Sequence, residues 1–444
     1  MWTVAQLERD LLAGRTSSRQ LVEQALDRIA APGGEGARAF MKVYAEAARA
    51  DADYSDSLRK RGVRRSRVDG LPVSLKDLFD VAGDVTRAGS KVLEIHAKKD
   101  APAVANLRAA GAVFIGRTNM VEFAFGGVGL NPHYGTPRNP WDRKAARVPG
   151  GSSSGAAVAQ ADGMCVMALG SDTRGSIRQP AALCGVVGFK PTQRRVSREG
   201  AFPLSYTLDS VGPLANSVEC CAAYDAILAG EEAGALELPI KGLRLLLPRS
   251  IAIQELDPEV ERAFDRALKK LAHAGAHIIE APAPAFDRQD EYFKGGGIAG
   301  AEVIQVHKPY IARAAEYDPR VGKRIAMGST LTGADYAGLL ALRERFMQEV
   351  GALAAPYDAI VMPSVPCVAP TIAETEAGEE AYFRWNFRIM RNNGLINFLD
   401  GCALTLPCHE PGSAPVGFMV CGTAASDPRI LAAAGAVERV LSAR

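Results

Sequence analysis

The sequence predicts an α/β fold built on a central, mostly parallel sheet, and three observations predict it. The chain has 444 residues, 48% of them hydrophobic, which is ample for a large buried core. Segments with helical spacing alternate with short apolar runs, most regularly in the second half. No internal repeat and no low-complexity segment interrupts that alternation.

Taken in order, residues 3–14 and 17–31 carry apolar side chains at helical spacing, with Thr16-Ser17-Ser18 as the cap between them. Ala45 to Arg61 reads as a third helix. Leu71–Leu75 and Ala112–Ile115 read as strands flanking a helical pattern around Val104–Ala110. Residues 117–151 are loop-like, punctuated by Asn131-Pro132, Asn139-Pro140 and Pro149-Gly150-Gly151. A small-residue helix follows at 155–162, then buried strands at 164–169 and 186–189. Further helices are expected at 215–229, 258–274, 332–353 and 427–443. Further strands are expected at Leu243–Leu247, His277–Glu280, Ala359–Met362, Ala403–Leu406 and Val416–Val420. The Pro-rich, acidic stretch Pro363 to Glu380 reads as a long surface loop.

Composition excludes several classes of function. Fifty-two basic and 50 acidic residues leave a net charge of +2, which asks for no nucleic acid and no anionic membrane. The densest basic run, Lys60 to Arg67, holds no aromatic residue for base stacking and reads as a solvated linker ahead of a strand. The eight cysteines (165, 184, 220, 221, 367, 402, 408 and 421) include no C-x-x-C pair, and several sit in apolar runs. They read as buried free thiols of a reduced, cytoplasmic protein. The N-terminus lacks a basic region followed by an apolar core, and no run of about 18 apolar residues exists, so neither a signal peptide nor a membrane span is expected.

The chemistry concentrates in Pro149-Gly150-Gly151-Ser152-Ser153-Ser154-Gly155 and Gly170-Ser171-Asp172-Thr173-Arg174-Gly175-Ser176-Ile177-Arg178-Gln179-Pro180. Ser176 follows a small-residue turn after a strand. There a hydroxyl can be exposed while consecutive backbone N–H groups converge on it, as an oxyanion hole requires. A serine needs a base to become a nucleophile. None of the six histidines stands in a catalytic motif, whereas Lys76 leaves a buried strand, where desolvation lowers its pKa.

These stations resemble the amidase signature family. The resemblance runs through most of the chain and is strongest from Gly150 to Thr192, including Pro180-Ala181, Cys184-Gly185 and Gly188-Phe189-Lys190-Pro191-Thr192. Upstream, Gly70 to Asp77, Gly116 to Ala124 and Asn139-Pro140-Trp141-Asp142 fit it too. It implies a single large domain over residues 1–444, with an N-terminal helical part (1–62) and a catalytic core (63–444). Within that domain it implies a central mixed, mostly parallel twisted sheet covered by helices on both faces. It also implies a serine amidohydrolase in which Ser176 is the nucleophile, Ser152 the relay after a cis Gly151–Ser152 bond, and Lys76 the base. The backbone N–H groups of Thr173, Arg174, Gly175 and Ser176 form the implied oxyanion hole, supported by Ser153, Asp172 and Arg178. No cofactor and no metal are expected. The expected partner is a small amide, in a chain that the resemblance suggests is a homodimer.

Two departures stand out: Ser154 and Arg174 each occupy a position where the family usually has glycine. The Arg174 side chain either braces the turn or reaches the substrate. In the second case it favours a carboxylate or second carbonyl near the scissile amide. Phe125 and Tyr134, together with Phe123, Phe202 and Tyr206, are candidate walls of an acyl pocket, with core packing as the alternative, and the Tyr382–Phe387 cluster is another candidate. Gly295 to Gly300 matches G-x-G-x-x-G, but a polar segment precedes it, so it reads as a loop opening a helix. His273 and His277 lack a third metal ligand. The rival to a stand-alone amidase is the amidase-like subunit of a glutamine-dependent tRNA amidotransferase; a silent binding protein of the same fold is the third reading. The substrate is left open, with specificity expected from loops 123–137, 200–208, 290–310 and 363–400.

Overall fold

A computed structural model describes residues 2–234 and 236–443. Its strands, in chain order, are β1 (Phe40–Val43), β2 (Pro72–Lys76), β3 (Val85–Thr86), β4 (Ile95–His96), β5 (Val113–Thr118), β6 (Met167–Asp172), β7 (Val187–Lys190), β8 (Ser210–Ala215), β9 (Arg244–Arg249), β10 (His277–Pro282), β11 (Ala359–Pro363), β12 (Cys402–Pro407) and β13 (Gly417–Gly422). β3 and β4 pair with each other, and the other eleven form one sheet in the order β1-β5-β2-β6-β8-β7-β12-β13-β11-β9-β10.

The expected mixed sheet is present, with its parallel pairings gathered in two runs, β5-β2-β6 and β11-β9-β10. The pairings between and outside those runs are antiparallel. Among the described residues, four of the ten pairings are therefore parallel, fewer than the helix–strand alternation implies. The reason lies in the connections: β7 to β8 and β12 to β13 are joined by loops without a crossover helix, which only antiparallel neighbours permit.

Helices flank the sheet within a single domain. Successive strand residues face opposite sides, and Met167 and Leu169 join one hydrophobic cluster while Ala168 joins another. The first cluster holds helices Val218–Ala229 and Asp427–Ser442, and the second holds Ser154–Ala161. With both faces covered, β2 and β6 are buried at every position, the polar Ser74, Lys76, Ser171 and Asp172 included. Local signals set the helix starts: Ser17 and Gln20 form a capping box for Ser18–Ala30, and Pro258 opens Pro258–His273.

The structure corrects three expectations. Residues 363–380 are not a surface loop: Val365, Cys367 and Ala369 are buried, and the chain continues into helices Ile372–Glu376 and Glu379–Phe398. The 1–62 segment is not purely helical, because β1 pairs with β5. β8 was not expected at all, since Gly212 and Pro213 interrupt its apolar pattern. The basic run is solvent-exposed, as expected of a solvated linker, and its arginines meet nearby acids: Arg64 and Arg67 pair with Glu8, and Arg65 with Asp69. All eight cysteines are free, and all but Cys408 are fully buried. Among the described residues no helix is long and apolar enough to cross a membrane.

Candidate active site

The site forms where the parallel strands β2 and β6 end side by side. Their register places Leu75 opposite Leu169, so Lys76 at the end of β2 lies beside the last residues of β6. The carboxyl ends of parallel strands are where α/β sheets leave room for ligands. Lys76 Nζ is 2.9 Å from Ser171 Oγ and 2.7 Å from Ser152 Oγ. Lys76 is fully buried, and burial pushes its ammonium down to about 7, against the pull of the Asp172 and Asp209 carboxylates.

Ser152 arrives on the loop before helix Ser154–Ala161, and the Gly151–Ser152 peptide bond is cis. The Ser153 N–H donates to the Ser176 carbonyl at 3.2 Å, and Ser153 Oγ donates to the Ser171 carbonyl at 3.4 Å. Those two bonds hold the Ser152 loop against the Ser176 turn. The Ser176 hydroxyl bonds to neither Ser152 nor Lys76; Ser176 instead lines a narrow recess.

Asp172 organises the turn. Its carboxylate accepts hydrogen bonds from the Gly175 N–H (2.7 Å), the Ile177 N–H (3.1 Å), Arg178 Nε (3.1 Å), Arg178 Nη2 (3.0 Å) and Asn397 Nδ2 (2.9 Å). Burial alone would raise this carboxyl; Arg178, Lys190 and Asn397 outweigh it and hold it well below the usual carboxylate range. Arg178 is itself tied to the Asn393 carbonyl and to Asn397 Oδ1. Of the four N–H groups expected to form an oxyanion hole, that of Gly175 is thus engaged by Asp172. Those of Thr173, Arg174 and Ser176 make no hydrogen bond among the described residues. Buried N–H groups are rarely left unpaired, so three free ones beside Ser176 at the recess constitute a ready acceptor site.

Gly175 is required for this shape. Its φ is +111°, and a Cβ there would lie 2.3 Å from Gln179 Nε2 and 2.4 Å from Asn393 Cβ. Gly175→Ala is expected to lower kcat about 100-fold, because the turn carrying Ser176 must move to relieve the clash. Steady-state kinetics on the folded variant, with circular dichroism to check folding, measures this; a kcat within threefold of wild type would mean the turn is more adaptable than its packing indicates.

Two cavities meet here. The recess beside Ser176 is lined by Phe125, Thr173, Arg174 and Arg324 among others, and Ala124, Thr173 and Leu204 also line a larger cavity of about 480 Å³. Phe202 and Tyr206 line the larger one, with Asp209, whose buried carboxyl is pushed up to about 6 against hydrogen bonds from Thr173, Ser205 and Leu204. Tyr134 lines neither: its hydroxyl donates to the Ser90 carbonyl. Phe123 packs against Phe202, His307 and Tyr317. Gly297 opens helix Gly297–His307 behind a helix rather than a strand, which excludes the dinucleotide fingerprint. His273 ends a helix and His277 begins β10, and no metal-binding cluster of His, Cys, Asp or Glu occurs among the described residues.

Sequence reasoning missed Ser171, Asp209, Arg324 and the asparagines of Glu379–Phe398. Ser171 stands inside the Gly170 to Pro180 motif and needed only the strand register to reveal it. Arg324 lies 148 residues beyond Ser176, on helix Pro319–Gly328, and nothing in its surroundings links it to the site before the chain folds.

The Amidase family model matches residues 20–431. The 2-amino-5-chloromuconic acid deaminase of Comamonas testosteroni is 36% identical over 403 residues, spanning 89% of this chain and 86% of that one. The A subunit of glutamyl-tRNA(Gln) amidotransferase from Roseiflexus castenholzii is 35% identical over 480 aligned positions, spanning 99% and 95%. A crystal structure of an amidase superposes with a TM-score of 0.89 at 34% identity, covering 99% of both chains.

Proposed function

Since the chain belongs to the amidase family, we propose that it cleaves the C–N bond of a small carboxamide through an acyl-enzyme on Ser176. The observation that carries the reading is the buried Lys76–Ser152 contact of 2.7 Å at a lysine pushed down to about 7. Such a lysine is substantially neutral near pH 7 and accepts a proton.

In this reading Lys76 takes the proton of Ser152, and Ser152 takes that of Ser176. The Ser176 hydroxyl first turns toward Ser152, a tightening common when substrate fills an empty site. Ser176 Oγ then attacks the carbonyl carbon, and the oxyanion is met by the N–H groups of Thr173, Arg174 and Ser176. Collapse breaks the C–N bond, and the proton held by Lys76 returns through Ser152 to the leaving nitrogen. Water, deprotonated along the same path, releases the acid and restores Ser176. Asp172 and Arg178 keep the turn in shape and do not react.

The second reading, the amidase-like subunit of a tRNA amidotransferase, is favoured by the 35% identity to the Roseiflexus protein. One measurement separates them, and a second tests the nucleophile. The purified chain is expected to release ammonia or an amine from simple amides without ATP, tRNA or a partner. A fluorophosphonate is expected to label Ser176, located by peptide mapping. Hydrolysis only with added subunits would overturn the stand-alone assignment, and label elsewhere would overturn Ser176 as the nucleophile. Chelator is expected to leave the rate unchanged, and a loss of activity in EDTA would call for a metal.

A further inference from the structure

Two buried cations face the recess beside Ser176. Arg174 and Arg324 are 8% and 4% exposed, and both line it. Among the described residues neither has a carboxylate within ion-pair distance, whereas the equally buried Arg117 and Arg178 pair with Asp77 and Asp172. Arg174 Nε has no hydrogen-bond partner, and its guanidinium rests 3.7 Å from the Phe293 ring centre. Arg324 donates one hydrogen bond, from Nη1 to the Phe125 carbonyl at 2.9 Å, and lies 4.0 Å from the centre of the Phe125 ring. Buried charges are ordinarily paired, and two unpaired guanidinium groups beside one recess are matched by an anion that arrives with the ligand. Burial, then the charge of Arg324, pushes Arg174 down to about 9; burial pushes Arg324 down to about 10. A bound anion opposes both shifts through its charge.

We propose that the acyl side of the substrate carries a carboxylate held between Arg174 and Arg324, so that the substrate class is the half-amide of a short dicarboxylic acid. The inference rests on the reading of Ser176 as nucleophile: the recess holds Ser176 and both arginines, so the group seated there is the acyl part rather than the leaving amine. The remaining wall, including Ala299 and Met390, is mostly apolar and close, and the recess, about 10 Å³ as it stands, must widen toward the adjoining cavity of about 480 Å³ to admit even a short chain between the two carbonyl carbons. Planar guanidinium groups offer paired N–H donors that match the two oxygens of a carboxylate.

The test compares kcat/KM for isosteric pairs, succinamate with butyramide and malonamate with propionamide, in wild type, Arg174→Gln and Arg324→Gln. Wild type is expected to favour the anionic member by roughly 10- to 100-fold, and each variant to shrink that ratio at least about tenfold. In wild type alone, succinate is expected to slow fluorophosphonate labelling of Ser176 saturably, while butyramide at equal concentration does not. This arm decides the matter if either variant fails to fold. Labelled Ser176 with no anionic preference and no protection by succinate overturns the carboxylate site and leaves the amidase reading standing; the arginines then only rest on Phe125 and Phe293. Failure of both labelling and hydrolysis removes the amidase reading, and this inference with it.

Discussion

Ser176→Ala is expected to lower kcat by about 10⁴-fold or more while shifting Tm by no more than about 2 °C. The chemical half follows from the reaction: without Oγ no acyl-enzyme forms, and the oxyanion donors alone supply only a small part of the acceleration. The stability half follows from the structure. The Ser176 side chain makes no hydrogen bond among the described residues and lines the recess, so the substitution removes no packed group and leaves no donor stranded. Its backbone carbonyl still accepts from Ser153. Kinetics and thermal melts on the same preparation check both halves. Residual hydrolysis above about 1% of wild type, with no contaminating enzyme, would place the nucleophile elsewhere.

Lys76→Ala is expected to lower kcat by about 10³- to 10⁵-fold, and Lys76→Arg by a similar factor. The pairing matters because arginine keeps a cation but does not give up its proton at working pH. A lysine needed for its charge would be rescued by arginine; a lysine needed as a base would not. The pH profile gives a second readout. The Lys76 ammonium is pushed down to about 7, and the neutral amine is the active form. Activity is therefore expected to climb about tenfold per pH unit below 7 and to level off above it, and the limb should vanish from the residual activity of both variants. Burial is the cause, so a substitution that admitted water to Lys76 would move the limb to higher pH. Near-normal kcat in Lys76→Ala between pH 7 and 9 would require another base.

Much of this architecture was legible in the sequence, and the exceptions have physical causes. Strands β2, β6, β11, β12 and β13 each contain a short, largely apolar stretch bounded by turn residues, and they formed within two or three residues of their expected ends. Lys76, Ser152 and Ser176 were singled out because each stands in a short motif covered by the family resemblance, and the fold brings Lys76 against Ser152. Helix Glu379–Phe398 was missed because its inward face holds Asn386, Asn392, Asn393 and Asn397 where helical periodicity calls for apolar residues. Those amides are buried because backbone groups bind them: Asn386 Oδ1 accepts from the Gly127 N–H, Asn393 donates to the Ser364 carbonyl, and Asn392 donates to those of Ala252 and Pro363. β8 was missed for the opposite reason, a proline set in the middle of a sheet. The Gly175 N–H was assigned to the oxyanion hole from the family resemblance, and only the three-dimensional arrangement showed that Asp172 occupies it. Tyr134 shows the limit of proximity in sequence: it lies in the expected substrate loop, yet its hydroxyl turns to Ser90.

The ties between Asp172 and helix Glu379–Phe398 divide the enzyme in a way the order of its motifs conceals. Every group proposed to react is synthesised by residue 176, yet the carboxylate that shapes the turn takes a donor from Asn397, and its Arg178 partner is anchored to Asn393 and Asn397. A nascent chain on the ribosome therefore carries a complete set of reacting side chains long before it can hold them in register. Catalytic activity in such a protein reports on the arrival of its last quarter, and a truncation in that quarter would silence the enzyme without touching a single reacting atom.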